Sequence, residues 1–322
     1  MSFNVAILEP LAPDTAVERS ILEPLGGRVV TVGATSSAIA AVAAINPQAL
    51  FVRRQRVGAP LLEAAGALKV VACYGEDISN IDLASATRNK VAVVSVPEYG
   101  AEHEKSDHVL ALYLALQRRI VPRDRHTRAG RRSERYADPI PGRLGAVLGL
   151  VGCGPAGLEA ARKFAALGFA RTICADPTID DETLAHHSIA RTDITTLCQT
   201  ADVVMLDLPI DKKPLHVIDA AYLALMKSTT ILINVCRGDC VDEPALADAL
   251  NRYALFGAGL DVFSSEPPSR DNPLLTAPNT ILSDNTSRYS QRTIEILRTH
   301  AAEDVAKVIS GRTPNHWANP WT

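Results

Sequence analysis

The sequence predicts an α/β protein that contains two doubly wound parallel sheets. Short apolar segments alternate with amphipathic helical segments over residues 1–98, and a second alternation of the same kind begins near residue 146. This alternation is typical of parallel strands joined by crossover helices. A chain of 322 residues is long enough for two such domains.

The predicted elements follow each other in a regular order. Strands of the first sheet are expected near residues 4–8, 28–32, 49–53, 69–73 and 91–95, with helices near 15–25, 36–45, 59–66 and 82–88. A long helix that begins at Ser106-Asp107 is expected to connect the domains. Strands of the second sheet are expected near 146–151, 171–175, 202–206, 230–234, 256–260 and 280–283, and a last helix, 291–310, returns to the first domain.

Composition and charge exclude several classes of protein. The chain is 47% hydrophobic and 21% charged, which indicates a well-buried globular protein. Its net charge of −3 gives no general attraction to nucleic acid or anionic membranes. Eight arginines between residues 118 and 135 are interpreted as a solvated arm or a subunit contact, not a nucleic-acid site. Since the sequence shows neither a secretory signal nor an apolar stretch of about 18 residues, we expect a cytoplasmic protein without a membrane partner.

The six cysteines are interpreted as reduced thiols that pack as small hydrophobic residues. No two of them form a CxxC pair. Cys236 and Cys240 are four residues apart, but no histidine or second cysteine pair accompanies them. The sequence therefore predicts no metal site.

A glycine-rich turn is the most informative motif. Gly152-Cys153-Gly154-Pro155-Ala156-Gly157 follows an apolar strand and opens a helical pattern, and Asp176 ends the next apolar segment 19 residues beyond Gly157. In this arrangement the glycines allow a tight turn and close approach to a pyrophosphate, which the helix N-terminus then binds. The carboxylate at the second strand end binds a ribose 2′-hydroxyl and repels a 2′-phosphate. The motif predicts NAD as the cofactor rather than NADP, with Gly152, Gly154, Pro155, Ala156, Gly157 and Asp176 in its site.

Further motifs extend over nearly the whole chain. They are Asn80-Ile81-Asp82-Leu83-Ala84, Ala201-Asp202-Val203-Val204, Met226-Lys227, Leu232-Ile233-Asn234-Val235-Cys236-Arg237-Gly238, Val241-Asp242-Glu243, Leu260-Asp261-Val262-Phe263 with Glu266-Pro267, and Tyr289-Ser290. With the glycine turn, they make the chain resemble the D-isomer-specific 2-hydroxyacid dehydrogenases. It is most similar to the branch that includes the C-terminal-binding-protein corepressors.

The resemblance implies a flavodoxin-like substrate-binding domain, residues 1–101 and 290–322, and an inserted Rossmann NAD domain, residues 102–289. It also implies a homodimer and hydride transfer between nicotinamide and a 2-oxo or 2-hydroxy carbon of a small-molecule substrate. By position, Arg237 is expected to bind the substrate carboxylate and Asp261 the nicotinamide carboxamide. Leu208, Pro209, Val235 and Cys236 are expected to line the cofactor site. A structural ion pair is the alternative role for Arg237.

The chain departs from the family at the catalytic acid/base. By resemblance, Glu266 is the carboxylate that orients an acid/base histidine, and Asn285 stands where that histidine is expected. An asparagine donates hydrogen bonds but cannot exchange a proton near neutral pH. We therefore place Asn285 with Arg237 and Glu266 as catalytic positions of altered chemistry.

A second departure is the charge of the substrate loop. Glu76 and Asp77 follow Tyr74-Gly75, where the family has a small apolar residue and a glycine. We assign Glu76, Asp77, Lys105 and Arg54 to the substrate site, with an outward-facing or ion-paired arrangement as the alternative for the two acids. Among the bases near the long helix, His103 and Lys105 are candidates to replace the missing proton carrier, although exposed positions are favoured for both. His108 is interpreted as a packed helix residue, and no role is given to His186 or His187.

Two functions from different classes remain at this point. The first is an NAD-dependent oxidoreductase that acts on an unusual 2-oxo or 2-hydroxy acid, and the second is an NAD(H)-binding regulator or corepressor-like scaffold. A third possibility is hydride transfer to a substrate that needs no proton exchange, which would explain Asn285 directly.

Overall fold

The structure is a computed structural model that describes residues 2–33, 37–131, 140, 142–208 and 216–321. It divides into two compact units. The first unit comprises Met1–Gly100 with Tyr289–Thr322, and the second unit comprises Ala101–Arg288. These junctions lie one residue before those expected from the sequence.

The first unit contains a five-stranded sheet. Its strands are β1 (Phe3–Ile7), β2 (Gly27–Thr31), β3 (Ala49–Val52), β4 (Val70–Cys73) and β5 (Ala92–Val94). They pair in the order β2-β1-β3-β4-β5, and every pair is parallel. The order 2-1-3-4-5 is the flavodoxin-like arrangement. The fold class predicted for this part of the chain is confirmed.

Twelve α-helices occur in the described residues. They are α1 (Ala16–Leu22), α2 (Ala38–Ile45), α3 (Ala59–Ala64), α4 (Leu83–Arg88), α5 (Ala101–Gln117), α6 (Ile120–Arg128), α7 (Pro155–Ala166), α8 (Asp181–His186), α9 (Ile194–Thr200), α10 (Ala220–Leu225), α11 (Glu243–Asn251) and α12 (Gln291–Ile309). Helices α1 to α4 and α12 belong to the first unit. The last of these packs along α1, where Arg298 and Glu18 form a buried ion pair at 2.7 Å.

The second unit contains a seven-stranded parallel sheet. Its strands are β6 (Val147–Val151), β7 (Arg171–Ala175), β8 (Ile189–Arg191), β9 (Val203–Leu206), β10 (Ile231–Asn234), β11 (Gly257–Leu260) and β12 (Thr280–Leu282). They pair in the order β12-β11-β10-β9-β6-β7-β8. Taken from β8, this is the Rossmann order, extended by a seventh strand, and the order reverses between β6 and β9. Ligands in open parallel sheets bind at the carboxyl ends of strands beside such a reversal.

The prediction of six strands in the second unit was wrong by one. Strand β8 has three residues, and of these only Ile189 is buried, because β8 lies at the edge of the sheet. A strand with so little apolar surface leaves no periodic pattern in the sequence.

The start predicted for the long helix was also wrong. Helix α5 begins at Ala101, five residues before Ser106, because the charged residues that precede Ser106 continue the helix on its polar side. It is not only a connector, since the ring of Tyr113 packs against Phe164 of α7 at 5.1 Å. A Cβ added to Gly259 of β11 would lie 2.9 Å from the Leu112 Cβ, so α5 packs directly on the sheet.

The arginine-rich segment is helical where the structure describes it. Residues 120–128 form α6, whose side chains are half-buried or exposed, and the solvated arm or subunit contact expected for this segment stays a prediction. Its remainder from residue 132 lies outside the described residues. Among the helices of the described chain, none has both the length and the apolar character needed to cross a membrane.

Candidate active site

The glycine turn lies at the carboxyl end of β6, beside the reversal of strand order. Gly152 has φ +78°, a left-handed conformation that favours glycine, and α7 begins at Pro155 with Gly154 as its N-cap. Proline at the first helical position has no N–H group to lose. Ala156 is buried in the core, so it can offer a ligand only its backbone. The turn thus has the strand-turn-helix geometry that the sequence predicted.

Asp176 lies directly after β7 and braces this turn. Its Oδ2 atom accepts the Cys153 N–H at 2.9 Å, and its Oδ1 atom accepts the N–H and hydroxyl of Thr178, both at 2.7 Å. Burial alone raises the pKa of Asp176, but the hydrogen bonds from Thr178 and Cys153 outweigh burial and leave the pKa below its ordinary value. The carboxylate therefore stays charged at neutral pH, as a ribose-binding acid must.

Asp207 is a second carboxylate at the turn, and the sequence interpretation missed it. It follows β9 directly, and its Oδ2 atom accepts the Gly157 N–H at 2.6 Å. The side chain is almost fully buried. A usable signal was present in the sequence, because an acid directly follows the strand that pairs with β6.

The apolar wall expected for the cofactor is placed only in part. Leu208 and Cys236 are half-buried and pack against the core of the second unit. Val235 is 3% exposed and belongs to the core beneath α5 and α7, so its side chain offers no surface to a ligand in this structure. It is buried because it continues an apolar strand on the α5 side. Pro209 lies outside the described residues.

Arg237 lies just after β10 in an ion pair with Asp239. Its Nε atom donates to Asp239 Oδ1 at 2.9 Å, and Nη2 donates to Oδ2 of the same carboxylate. This hydrogen-bonded contact raises the pKa of Arg237 above its ordinary value. A Cβ added to Gly238 would overlap the Phe263 carbonyl carbon at 1.8 Å, so only glycine lets this loop pack against the loop after β11. The structural ion pair, the alternative role for Arg237, is present, while the guanidinium remains one-fifth exposed.

Asp261 lies directly after β11 and is the acceptor at the centre of the loop that follows β12. It is fully buried, and its oxygens accept the Thr286 and Ser287 N–H groups at 3.0 and 2.9 Å and the Ser283 hydroxyl at 2.7 Å. His108 of α5 lies within 2.8 Å of the same Ser283 hydroxyl. Because the carboxylate accepts hydrogen bonds from the loop that carries Asn285, it organises that loop; the contact of Asp261 with the nicotinamide carboxamide stays a prediction. His108 is a packed helix residue, as predicted, with the added role of bracing Ser283.

Asn285 is held between a carboxylate and a guanidinium. Its Nδ2 atom donates to Glu266 Oε2 at 2.5 Å, and its Oδ1 atom accepts from Arg288 Nη1 at 2.9 Å. The backbone of Asn285 has φ +58°, a region that asparagine tolerates better than most residues, and its N–H donates to the Asp261 carbonyl at 2.7 Å. The side-chain amide therefore has one fixed orientation, with its oxygen toward Arg288.

Of the two candidate bases at the start of α5, His103 contacts helix α7. His103 Nδ1 lies 3.3 Å from Glu159, and its side chain is half exposed. Lys163 Nζ donates to the His103 carbonyl at 3.0 Å and to the Asp107 carboxylate at 2.7 Å. His103 thus has the surface position that the sequence favoured. Lys105 is half-buried.

The substrate-loop residues lie in the first unit, at the carboxyl ends of β3 and β4. Glu76 and Asp77 are exposed, and the Asp77 carboxylate accepts the Ser79 N–H at 2.9 Å. Arg54 is also exposed, and its N–H donates to Glu9 Oε2 at 2.7 Å. Exposed charged side chains keep their hydration, and both arrangements expected for the two acids stay predictions.

The cysteines are free thiols, and the described residues contain no group of three or more potential ligands that could hold a metal ion. Burial raises the pKa of Cys198 to about 11 and that of Cys73 to about 12. Thiols with such pKa values are protonated at neutral pH and react slowly.

Comparison with known proteins identifies the second unit. Residues 110–284 match the NAD-binding domain model of the D-isomer specific 2-hydroxyacid dehydrogenases. The chain belongs to this family. Over 319 residues it is 30% identical to a D-3-phosphoglycerate dehydrogenase of Methanocaldococcus jannaschii, an alignment that covers 98% of this chain and 59% of that protein. Over 325 residues it is 30% identical to glyoxylate/hydroxypyruvate reductase B of Klebsiella pneumoniae, with 98% of each covered.

The solved structures agree with the family. The TT0316 protein of Thermus thermophilus superposes with a TM-score of 0.86 at 29% identity, and the match covers 98% of this chain and 99% of that one. The chain spans only about half of the length of some curated relatives, 50% for the D-3-phosphoglycerate dehydrogenase of Archaeoglobus fulgidus. The second unit is therefore the NAD-binding domain of a D-2-hydroxyacid dehydrogenase family member, and its glycine turn and Asp176 fit that cofactor.

Proposed function

We propose that this chain is an NAD-dependent oxidoreductase that acts on a 2-oxo or 2-hydroxy acid with an asparagine amide in place of the usual proton carrier. The observation that carries the proposal is the fixed row of Glu266, Asn285 and Arg288 in the NAD-binding unit. The named relatives reported above are dehydrogenases and reductases, which favours catalysis over the regulator or corepressor-like alternative.

Arg237 is proposed to bind the substrate carboxylate. A guanidinium matches a carboxylate through two parallel hydrogen bonds, and its charge is retained at every physiological pH. Asp239 supports this role by fixing the guanidinium while part of it remains exposed. Asp239 also competes for the same donors, so substrate binding requires Arg237 to share or exchange this partner.

Asn285 is proposed to polarise the substrate carbonyl. Its amide oxygen faces Arg288, and one of its two N–H groups donates to Glu266, which leaves the second N–H direction for a substrate oxygen. Bound NAD supplies the hydride chemistry at the substrate carbon. Asn285 stabilises negative charge on the oxygen but cannot deliver the proton that completes an alcohol. Loss of a general acid typically lowers the rate by about 10²–10⁴-fold, so slow turnover of simple 2-oxo acids is expected.

A second candidate substrate class is a protonated 2-imino acid, and Asn285 is the observation that favours it. When hydride adds to the carbon of a C=N⁺ group, the electron pair of the double bond becomes the nitrogen lone pair. The product is a neutral amine, so the enzyme need not supply a proton. This reaction therefore needs no proton carrier at position 285; the N–H groups of the protonated imine are themselves donors and require an acceptor, such as a carboxylate or an amide oxygen.

Several finer features remain part of the proposal. Glu76, Asp77 and Arg54 of the first unit and Lys105 of α5 are proposed to contact the substrate, with the first unit as the substrate-binding domain. The resemblance to the corepressor branch, a homodimeric state and a cytoplasmic location also belong to the proposal. Sedimentation of the purified chain tests the dimer directly.

The test is NADH oxidation with a panel of 2-oxo acids, measured with and without ammonium. Slow turnover that ammonium leaves unchanged supports the oxo-acid function. Turnover that requires ammonium and grows with pH toward the pKa of ammonium supports the imino-acid function, because free ammonia forms the imine. Tight NADH binding without turnover, with or without ammonium, would contradict both catalytic functions and favour the NAD(H)-binding regulator.

A further inference from the structure

All three glycines of the dinucleotide turn face one residue, Asp207. A Cβ added to Gly152 would lie 2.5 Å from the Asp207 carbonyl oxygen. A Cβ added to Gly154 or Gly157 would lie 2.9 or 3.1 Å from the carboxylate atom Oδ2. The space left by the missing side chains is therefore occupied by Asp207, whose carboxylate lies over the first turn of α7.

The position of Asp207 follows from the sheet. Its N–H donates to the Val151 carbonyl at 2.9 Å, which continues the pairing of β9 with β6 by one residue. The side chain then crosses the turn and accepts the Gly157 N–H at 2.6 Å. At 8% exposure, the carboxylate has few water molecules with which to exchange this contact.

Other helices of this chain also have an aspartate that accepts a first-turn N–H, but there the aspartate directly precedes the helix. At five helices the residue before the first turn is an aspartate that accepts an N–H of that turn; these are Asp82, Asp180, Asp193, Asp219 and Asp242. Helix α7 instead begins after Gly154, which has no side chain to cap it. Asp207 supplies the missing acceptor from β9, at the third helical residue, as Asp193 does for Thr196 of α9. Asp207 thus caps α7 from a neighbouring strand.

The turn of α7 differs from the other helix starts because its ligand is an anion. The N–H groups and the dipole at this terminus are the features that attract a pyrophosphate. Pro155 contributes no N–H, and the Gly157 N–H already has a negatively charged partner. A bound pyrophosphate therefore meets a turn whose donors are reduced in number and whose charge is partly neutralised.

We propose that Asp207 sets the affinity of this chain for the phosphates of its dinucleotide, by competing with them for the first turn of α7. Two negative groups a few ångströms apart repel each other strongly where water is excluded. The expected effect is a phosphate affinity about 10- to 100-fold lower than the same turn would have with a neutral residue. Asp176 acts on the ribose hydroxyls, so the two carboxylates control different parts of the cofactor.

The test compares ADP with adenosine as ligands of the full chain, measured by titration calorimetry. Asp207→Asn keeps an oxygen that can accept the Gly157 N–H and removes the charge. We expect this variant to bind ADP about tenfold or more tightly than the unaltered protein, and adenosine within about twofold of it. The matched control is Asp193→Asn, the same substitution at the equivalent contact of α9, which should change neither affinity.

An unchanged ratio of ADP to adenosine affinity in Asp207→Asn would overturn the proposal and leave Asp207 as a helix cap only. Thermal unfolding of each variant shows whether it folds. If Asp207→Asn does not fold, the unaltered protein alone still tests the proposal. In that protein ADP, with its two phosphates, should bind less than about tenfold more tightly than adenosine. A larger gain contradicts the proposal. Absence of binding by both ligands would instead count against the dinucleotide site itself.

Discussion

Asp207 and Asp261 are two buried carboxylates of the same unit with opposite relations to a ligand. Each follows a strand of the second sheet directly. Asp207 accepts the Gly157 N–H in the first turn of α7, and Asp261 accepts the Thr286 and Ser287 N–H groups of a loop. Asp261 binds the N–H groups of the loop that carries Asn285, so its contacts stabilise the fold. Asp207 serves a turn whose N–H groups also bind phosphate. The same kind of hydrogen bond stabilises a loop in one place and competes with a ligand in the other. The reason is that the N–H group bound by Asp207 lies in the phosphate-binding turn, whereas those bound by Asp261 lie in the loop of Asn285.

The loop held by Asp261 carries Asn285, the residue proposed to replace the proton carrier. Asn285 lies between the two Asp261-bound segments and has its backbone fixed by the Asp261 carbonyl. The contrast between the two carboxylates therefore extends to function. Asp207 acts on how tightly a cofactor is held, whereas Asp261 acts on where the amide of Asn285 points.

The largest expected effect is on kcat and tests the proposed role of Asn285. Replacing Asn285 with histidine beside Glu266 restores a group that can donate a proton, so kcat for simple 2-oxo acids should rise about 10²–10⁴-fold. Steady-state NADH oxidation measures this change. Asn285→Gln is the control, because it keeps an amide without a titratable proton. If the histidine variant gains nothing while it binds NADH normally, the missing acid is not what limits the reaction.

The next largest effect is on the free energy of unfolding and tests the structural role of Asp261. Asp261→Ala leaves the Thr286 and Ser287 N–H groups and the Ser283 hydroxyl without their acceptor in a fully buried place. Each unsatisfied buried donor costs about 1–3 kcal/mol, so the free energy of unfolding should fall by roughly 3 kcal/mol or more. Urea denaturation measures this loss.

Asp193→Ala provides the comparison for that measurement. Its carboxylate caps the exposed start of α9, where the expected cost is about 1 kcal/mol. Equal losses in the two variants would contradict the view that Asp261 holds the catalytic loop together.

A smaller effect separates orientation from binding in the same loop. Arg288→Met removes the donor that fixes the oxygen of the Asn285 amide, so kcat should fall about tenfold, the cost of one charged hydrogen bond, while KM changes little. Arg288→Lys should recover part of kcat. A rise in KM at constant kcat would instead show that Arg288 binds the substrate directly.

The smallest effect concerns a carboxylate that serves neither site. The hydrogen bond from Arg162, together with His103 and the charge of Lys163, lowers the pKa of Glu159 from 4.5 to about 2. Because the pKa is lower in the folded state, the stabilisation is complete above about pH 5 and is lost as the pH falls from 4.5 toward 2. Glu159→Gln should therefore lower the free energy of unfolding by about 1 kcal/mol at pH 7, and by less at about pH 3. A difference that stays constant with pH would contradict this origin.

The strand pattern and the glycine turn could be predicted from the sequence because both depend on local information. Apolar segments such as 147–151 identify their own strands, and the spacing from the turn to Asp176 identifies a dinucleotide fold. Edge strand β8 was missed because three residues with one buried side chain carry too little pattern.

The sequence could predict the site only where the identity of a single residue indicates its chemistry. Asn285 could be proposed as a site residue because the resemblance places it where the family has a histidine. Its orientation between Glu266 and Arg288 could not, since these contacts join residues 19 and 3 positions apart through a folded loop. The contacts of Asp261 with Ser283, Thr286 and Ser287 could not be predicted for the same reason, because the resemblance gave its position and not the direction of its oxygens.

Sequence alone determined that the chain forms two parallel α/β sheets and that it binds a dinucleotide, and it predicted the loss of the proton carrier, because these features lie in periodic patterns and in the identity of single residues. Only the tertiary structure decided that Asp207 fills the glycine turn, because 50 residues separate it from Gly157 and only the pairing of β9 with β6 brings them together.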